Sequence, residues 1–150
     1  MHSMVLFAQK LKTTSDSVAN ESSKSFTVPA GKRWIINTVW VEFTSSADVG
    51  NRQIELSVNS AASADELYFT RAGAVQAASL TRYYLFGTGI ADLTSFRDTD
   101  FLMTPLPAPM EMDPGEVLIV RDVGGTARAA IKDGTDDMVV HVRYYEQQDI

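Results

Sequence analysis

Imidazole, clustered carboxylates and glycine-rich turns are the groups in this chain that could do chemistry, and each is tested first against what its chemistry needs. Only His2 and His141 supply imidazole. His141 alternates with Val140 and Val142, so it shares a strand face with Val139, Arg143 and Tyr145. A general base needs a nucleophile and an orienting acid beside it, and no G-x-S-x-G pattern provides them. His141 therefore reads as a surface or interface histidine. The stretch "KDGTDD" (132–137) resembles a carboxylate-rich calcium loop but lacks its length and closing glutamate, and a turn through Asp133 and Gly134 explains the same letters. "GTG" (87–89) is too short to cradle a phosphate, and Asp92, Asp98 and Asp100 read as solvated loop carboxylates rather than a glycosidase pair. No catalytic residue, cofactor or metal site is expected, and the chain reads as a non-enzyme.

The elements that would position any site are strands. The 150 residues suit one domain with its own core. There is no cysteine, so disulfides and thiolate metal sites are excluded. A net charge of -6 argues against duplex nucleic acid as a partner. No apolar run approaches the ~20 residues that span a bilayer, and "MHSMVLFAQKLK" lacks an export signal's layout, so no membrane partner is expected.

Period-two alternation rich in Val, Ile, Tyr, Phe, Trp and Thr recurs along nearly the whole chain. "MVLFAQK" (4–10) is a possible first strand, and "TTSDSVANESSKS" (13–25) reads as a loop, an exposed edge strand or an arm ordered in an assembly. In "VPAG", Pro29 is expected at the second position of a turn that Gly31 closes. "RQIELSV" reads as a half-buried strand, and "ELYFTR" and "LTRYYLF" are two more, separated by "AGAVQAAS". Residues 87–115 hold four of the five prolines and read as a long loop, with one short helix near "IADLTSF". "EVLIVRD", "ARAAIK" and "DMVVHVRYYE", separated by "VGGT" and "DGT", are expected to form an antiparallel meander. Roughly eight or nine strands, with turns about every 8–12 residues, predict an all-β antiparallel sandwich, and the jelly roll accommodates the crossing loops best.

"WIINTVWVEF" poses the main problem. Strict alternation puts Trp34, Ile36, Thr38 and Trp40 on one face and Ile35, Asn37, Val39, Val41 and Phe43 on the other. Both faces then need cover, although a single bulge would exchange them. In Tyr83–Tyr84 and Tyr144–Tyr145 one ring must face the core and the other outward. A second apolar face marks an interaction surface unless the proline-rich segment, the N-terminal segment or "AGAVQAAS" folds over it. Self-association is the preferred answer, with Trp34, Ile36, Trp40, Tyr83, Leu85 and Tyr145 as the interface candidates.

The order of "SFTVPAGKRWIINTVWVEFTSS", "GNRQIELSV", "PLPAPMEMDPGEVLIVRD" and "DMVVHVRYYE" resembles small jelly-roll virion proteins of tailed bacteriophages, over residues 24–146. The resemblance implies a capsid cement or decoration protein, a homotrimer made in the host cytoplasm that sits on the capsid surface and binds the major capsid protein. Its nearest rival on the same fold is a tail-fibre or other receptor- or glycan-binding module. A cupin-like enzyme would need a histidine cluster that two distant histidines cannot supply. On this reading residues 1–24 form an arm that grips the shell or a neighbour, and residues 25–150 form the sandwich.

Overall fold

Alternation becomes strand through most of the chain in the computed structural model, which describes residues 9–20, 23–63, 65–91, 100–106, 108–124 and 135–148. In chain order the strands are Lys10–Asn20 (β1), Ser23–Thr27 (β2), Lys32–Thr44 (β3), Arg52–Asn59 (β4), Glu66–Arg71 (β5), Thr81–Gly87 (β6), Phe101–Pro105 (β7), Met110–Met112 (β8), Val117–Gly124 (β9) and Asp137–Gln148 (β10). One sheet runs β1-β10-β3-β6-β7, with β8 also paired to β3, and the other runs β2-β9-β4-β5. Set β7 and β8 aside and two antiparallel four-stranded sheets remain, in the strand order of a jelly roll. The core lies between them, built from Val39, Val41, Phe43, Tyr84, Phe86, Val140 and Val142 on one side and Ile54, Leu56, Leu118 and Val120 on the other.

One bulge resolves the two-faced strand. Thr38 pairs with Arg143 and Ile36 with Tyr144, which leaves Asn37 as an extra residue in β3. The side-chain phase shifts there. Trp34 and Ile36 before the bulge, and Val39, Val41 and Phe43 after it, all point into the core, while Ile35, Thr38, Trp40 and Glu42 line the outside.

Several expectations change with the long-range pairing. The segment 87–115 contains two strands: β7 lies parallel to β6, and β8 adds three residues beside Trp34–Ile36. Pro105 ends β7 at a sheet edge, where a missing N–H removes no ladder bond. Most of "IADLTSF" and all of "ARAAIK" lie outside the described residues, as do Met4–Ala8, Asp92, Asp98 and Asp133–Gly134. β9 and β10 do not belong to one meander, because β9 lies in the four-stranded sheet and β10 in the six-stranded one. At "VPAG" the Lys32 amide donates to the Pro29 carbonyl at 3.2 Å, so Pro29 opens the turn. Gly31, at φ 72°, takes the third position, where a type II turn needs positive φ. That turn carries the chain from one sheet to the other.

The N-terminal segment contains an edge strand, one of the readings its sequence allows. β1 is hydrogen-bonded to β10 as part of the sandwich, and Lys24 is only 3% exposed. Its ammonium donates to Asp16 Oδ1, the Val18 carbonyl and Asn20 Oδ1, which fixes the reversal between β1 and β2.

Candidate functional site

The outside of the six-stranded sheet carries a contiguous apolar surface built by register. Trp40 of β3 stands opposite His141 of β10 and Leu85 of β6, and Leu85 stands opposite Met103 of β7. In the next row Glu42 faces Val139 and Tyr83, and Tyr83 faces Phe101. The Trp40 ring meets Tyr83 at 5.7 Å and Phe101 at 5.6 Å between centroids, both tilted, which is a favourable aromatic geometry. Trp40, Tyr83, Leu85, Phe101, Met103 and Val139 are all half-buried: they pack on one another, and among the described residues no second layer closes over them. Further along the same face, Tyr145 and Ile35 form a smaller apolar pair beside Leu11.

Of the six interface candidates, Trp40, Tyr83, Leu85 and Tyr145 lie on this outer face. Trp34 and Ile36 do not. At 4% and 1% exposed they are core residues, because the bulge at Asn37 puts them in phase with Val39 rather than with Trp40. Trp34 stacks on Tyr144 at 4.0 Å and donates through Nε1 to Glu146 Oε2 at 3.0 Å. The tyrosine pairs split as expected, with Tyr84 and Tyr144 buried and Tyr83 and Tyr145 outside. Phe101 and Met103, which complete the surface, sit in the proline-bearing segment read as a loop. Their signal is the alternation in "DFLMTP".

His141 lies on this face, half-buried, with Nδ1 2.7 Å from Ser15 Oγ. No carboxylate hydrogen-bonds its other nitrogen among the described residues, so the pair lacks the acid that would orient a base. Among the described residues no three His, Asp or Glu side chains stand where they could hold a metal ion, and no helix is long and apolar enough to cross a membrane.

The strongest electrostatics are structural and lie inside or on the opposite sheet. Arg52 and Asp136, both fully buried, form a two-pronged pair at 3.0 and 3.2 Å. Arg52 also donates to the Asp48 and Gly50 carbonyls, tying down the loop after β3. Burial pushes the Asp136 carboxyl up, but hydrogen bonds from Arg52 and the Ser46 amide, together with the Arg52 charge, help hold it below the usual carboxylate range. Gln76 plugs one end of the sandwich. Its amide donates to the Phe43 and Leu80 carbonyls, and its oxygen accepts from Tyr84. The "AGAVQAAS" segment thus anchors into the end of the core instead of covering the Trp40 face. At the other end, the hydrogen bond from Lys12 holds Glu146 below the ordinary range against burial, helped by Trp34.

No protein-family model matches the sequence, and comparisons with curated proteins and with solved structures likewise give no match.

Proposed function

We propose that the chain works by its surface rather than by catalysis, as a structural virion subunit whose Trp40 face docks on the outside of an assembled phage head. The observation that carries this reading is the contiguous set Trp40, Tyr83, Leu85, Phe101 and Met103, spread over three hydrogen-bonded strands and left half-buried. Tryptophan and tyrosine at the centre of an apolar patch are the side chains that most often carry protein–protein affinity. Burying that area returns roughly 25 cal/mol per Å² before association costs. The identity of the partner rests on the resemblance of the motif order to that of small jelly-roll virion proteins. A subunit that binds the assembled shell and not its separated parts stabilises the shell by mass action.

The experiment is co-sedimentation of the purified chain with assembled heads and, separately, with unassembled shell protein. The reading requires pelleting with assembled heads. Failure to pellet with either would overturn it. A second reading has one specific support: Glu42 and His141 border the aromatic rings, and polar groups beside a stacking surface also suit a sugar ring. Binding on a glycan array together with no shell binding would favour that receptor-binding alternative.

A further inference from the structure

The first strand is unusual in what it lacks. β1 is eleven residues long and ends the six-stranded sheet, yet all its residues are exposed or half-buried and none joins the core. On the side of the inward-facing β10 residues it carries Lys10, Lys12, Thr14 and Asp16. Its pairing with β10 is regular from Lys10 to Asp16 and shifts between Asp16 and Asn20. Backbone groups of alternate residues bond β10, and those of the residues between them point to the open edge. A long edge of this kind, with no strand beside it among the described residues, is a template for another strand.

We infer that β1 pairs antiparallel with β1 of a second copy about a two-fold axis through Thr14, joining two six-stranded sheets into one. Backbone parity limits the choices. In such a pairing, outward-pointing groups meet only where residues of equal parity stand opposite one another, so the axis passes through a residue and not between two. An axis at Thr14 places Lys12 opposite Asp16 of the second copy, twice by symmetry, and Thr13 opposite Ser15. An axis at Ser15 places Lys12 opposite Val18 and Thr14 opposite Asp16, and forms no ion pair. An axis at Thr13 uses Lys10 instead and leaves Lys12 opposite Thr14.

The Thr14 axis is preferred because the charges it joins are already held in place. Lys12 is 2.7 Å from Glu146, and Asp16 is 3.1 Å from the buried ammonium of Lys24. Pairing about Thr14 extends these into a row of alternating sign: Lys24, Asp16, then Lys12 and Glu146 of the second copy. Edge lysines ordinarily repel a second edge. Here each one meets a carboxylate at the symmetric position, so the same charges select this partner and register. A two-fold contact of this type closes at two copies, unlike the trimer implied by the virion resemblance. The inference does not depend on shell binding, which uses the Trp40 face.

The chain has no cysteine, so Thr14→Cys introduces a single thiol at the axis and leaves all four charges intact. Mild oxidation is expected to give a disulfide-linked dimer from Thr14→Cys and none from Leu11→Cys, whose counterpart lies six residues away along the ladder. Light scattering of the unmodified chain is expected to show a dimer at high concentration. Lys12→Glu and Asp16→Lys alone should each weaken it roughly tenfold or more, and an equimolar mixture of the two variants should recover it. Urea unfolding is used to confirm that each variant stays folded although it loses the Lys12–Glu146 or Asp16–Lys24 pair of its own chain. A monomer at every concentration, a trimer in which Thr14→Cys does not cross-link, equal cross-linking through Leu11→Cys, or a mixture that fails to recover dimerisation would each overturn the inference.

Discussion

On the outside of the four-stranded sheet, the central strand β4 presents Glu55 and Ser57, which are 0% and 1% exposed. On the outside of the six-stranded sheet, the central strand β3 presents Trp40 and Glu42, which stay half-buried. Around Glu55 the first face closes itself, although farther along it Leu67 and Phe69 of β5 stay exposed. Arg71 and Arg121, on the strands flanking β4, reach over Glu55 at 2.8 and 2.9 Å, so the carboxylate is paired on both oxygens and cut off from water. From Ile54 to Val58 "RQIELSV" is thus buried on both sides, not half-buried as its alternation suggests, and Gln53 alone of its outward residues stays half-buried. On the second face the flanking strands bring Leu85, Tyr83 and His141, which pack beside Trp40 and cannot satisfy it by charge. A polar central residue can be completed by its own sheet, whereas an apolar one is completed only by a further layer. On the function proposed above, the Glu55 cluster serves stability and the Trp40 face serves binding.

Removing the carboxylate should break that assignment most visibly. Glu55→Ala leaves two arginines facing each other without their shared partner and should cost about 2–4 kcal/mol in urea unfolding, less than a fully buried pair because both arginines can rehydrate. It should not change shell affinity per folded molecule. Trp40→Ala should do the reverse, lowering stability by only about 1–2 kcal/mol while weakening shell binding at least roughly tenfold. Acid should probe a third place, the end of the core at Trp34. Glu146 is held below its ordinary value, so its stabilisation is present above the unfolded-state pKa and is lost as pH falls through the lower folded-state value. Glu146→Gln should therefore flatten the urea-midpoint profile below about pH 4, by about 1 kcal/mol. The smallest effect belongs to Ser15→Ala, which loses an exposed hydrogen bond to His141 and should change stability by about 0.5 kcal/mol or less.

Strand positions and fold class were legible because alternation is a local property, and in "LTRYYLF" it also assigns the faces correctly. The difficulty in "WIINTVWVEF" was a phase jump. Its core residues are spaced by two from Trp34 to Ile36, by three from Ile36 to Val39, and by two again to Phe43. A step of three inside an alternating run is the mark of a bulge, and taking the run as unbroken doubled the apparent apolar surface. The expected meander gives way for another reason: a turn sequence such as "VGGT" carries no signal for which sheet the next strand joins, and β9 and β10 fall in different sheets. Gln76 and Arg52 left no trace, since a glutamine among alanines and an arginine at a strand start look like surface residues until distant carbonyls and Asp136 surround them. Phe101 and Met103 were visible as alternation but masked by the neighbouring prolines.

The central claim is that the Trp40 face, and not the other exposed apolar side chains, makes the contact with the shell. The most direct test is a side-by-side co-sedimentation titration with assembled heads, comparing Trp40→Ala with the double variant Leu67→Ala/Phe69→Ala. Leu67 and Phe69 are 55% and 48% exposed on β5 of the opposite sheet. The account predicts that Trp40→Ala stays in the supernatant at concentrations where the double variant pellets like the unmodified chain. Equal pelleting of both variants, or loss confined to the double variant, would contradict it.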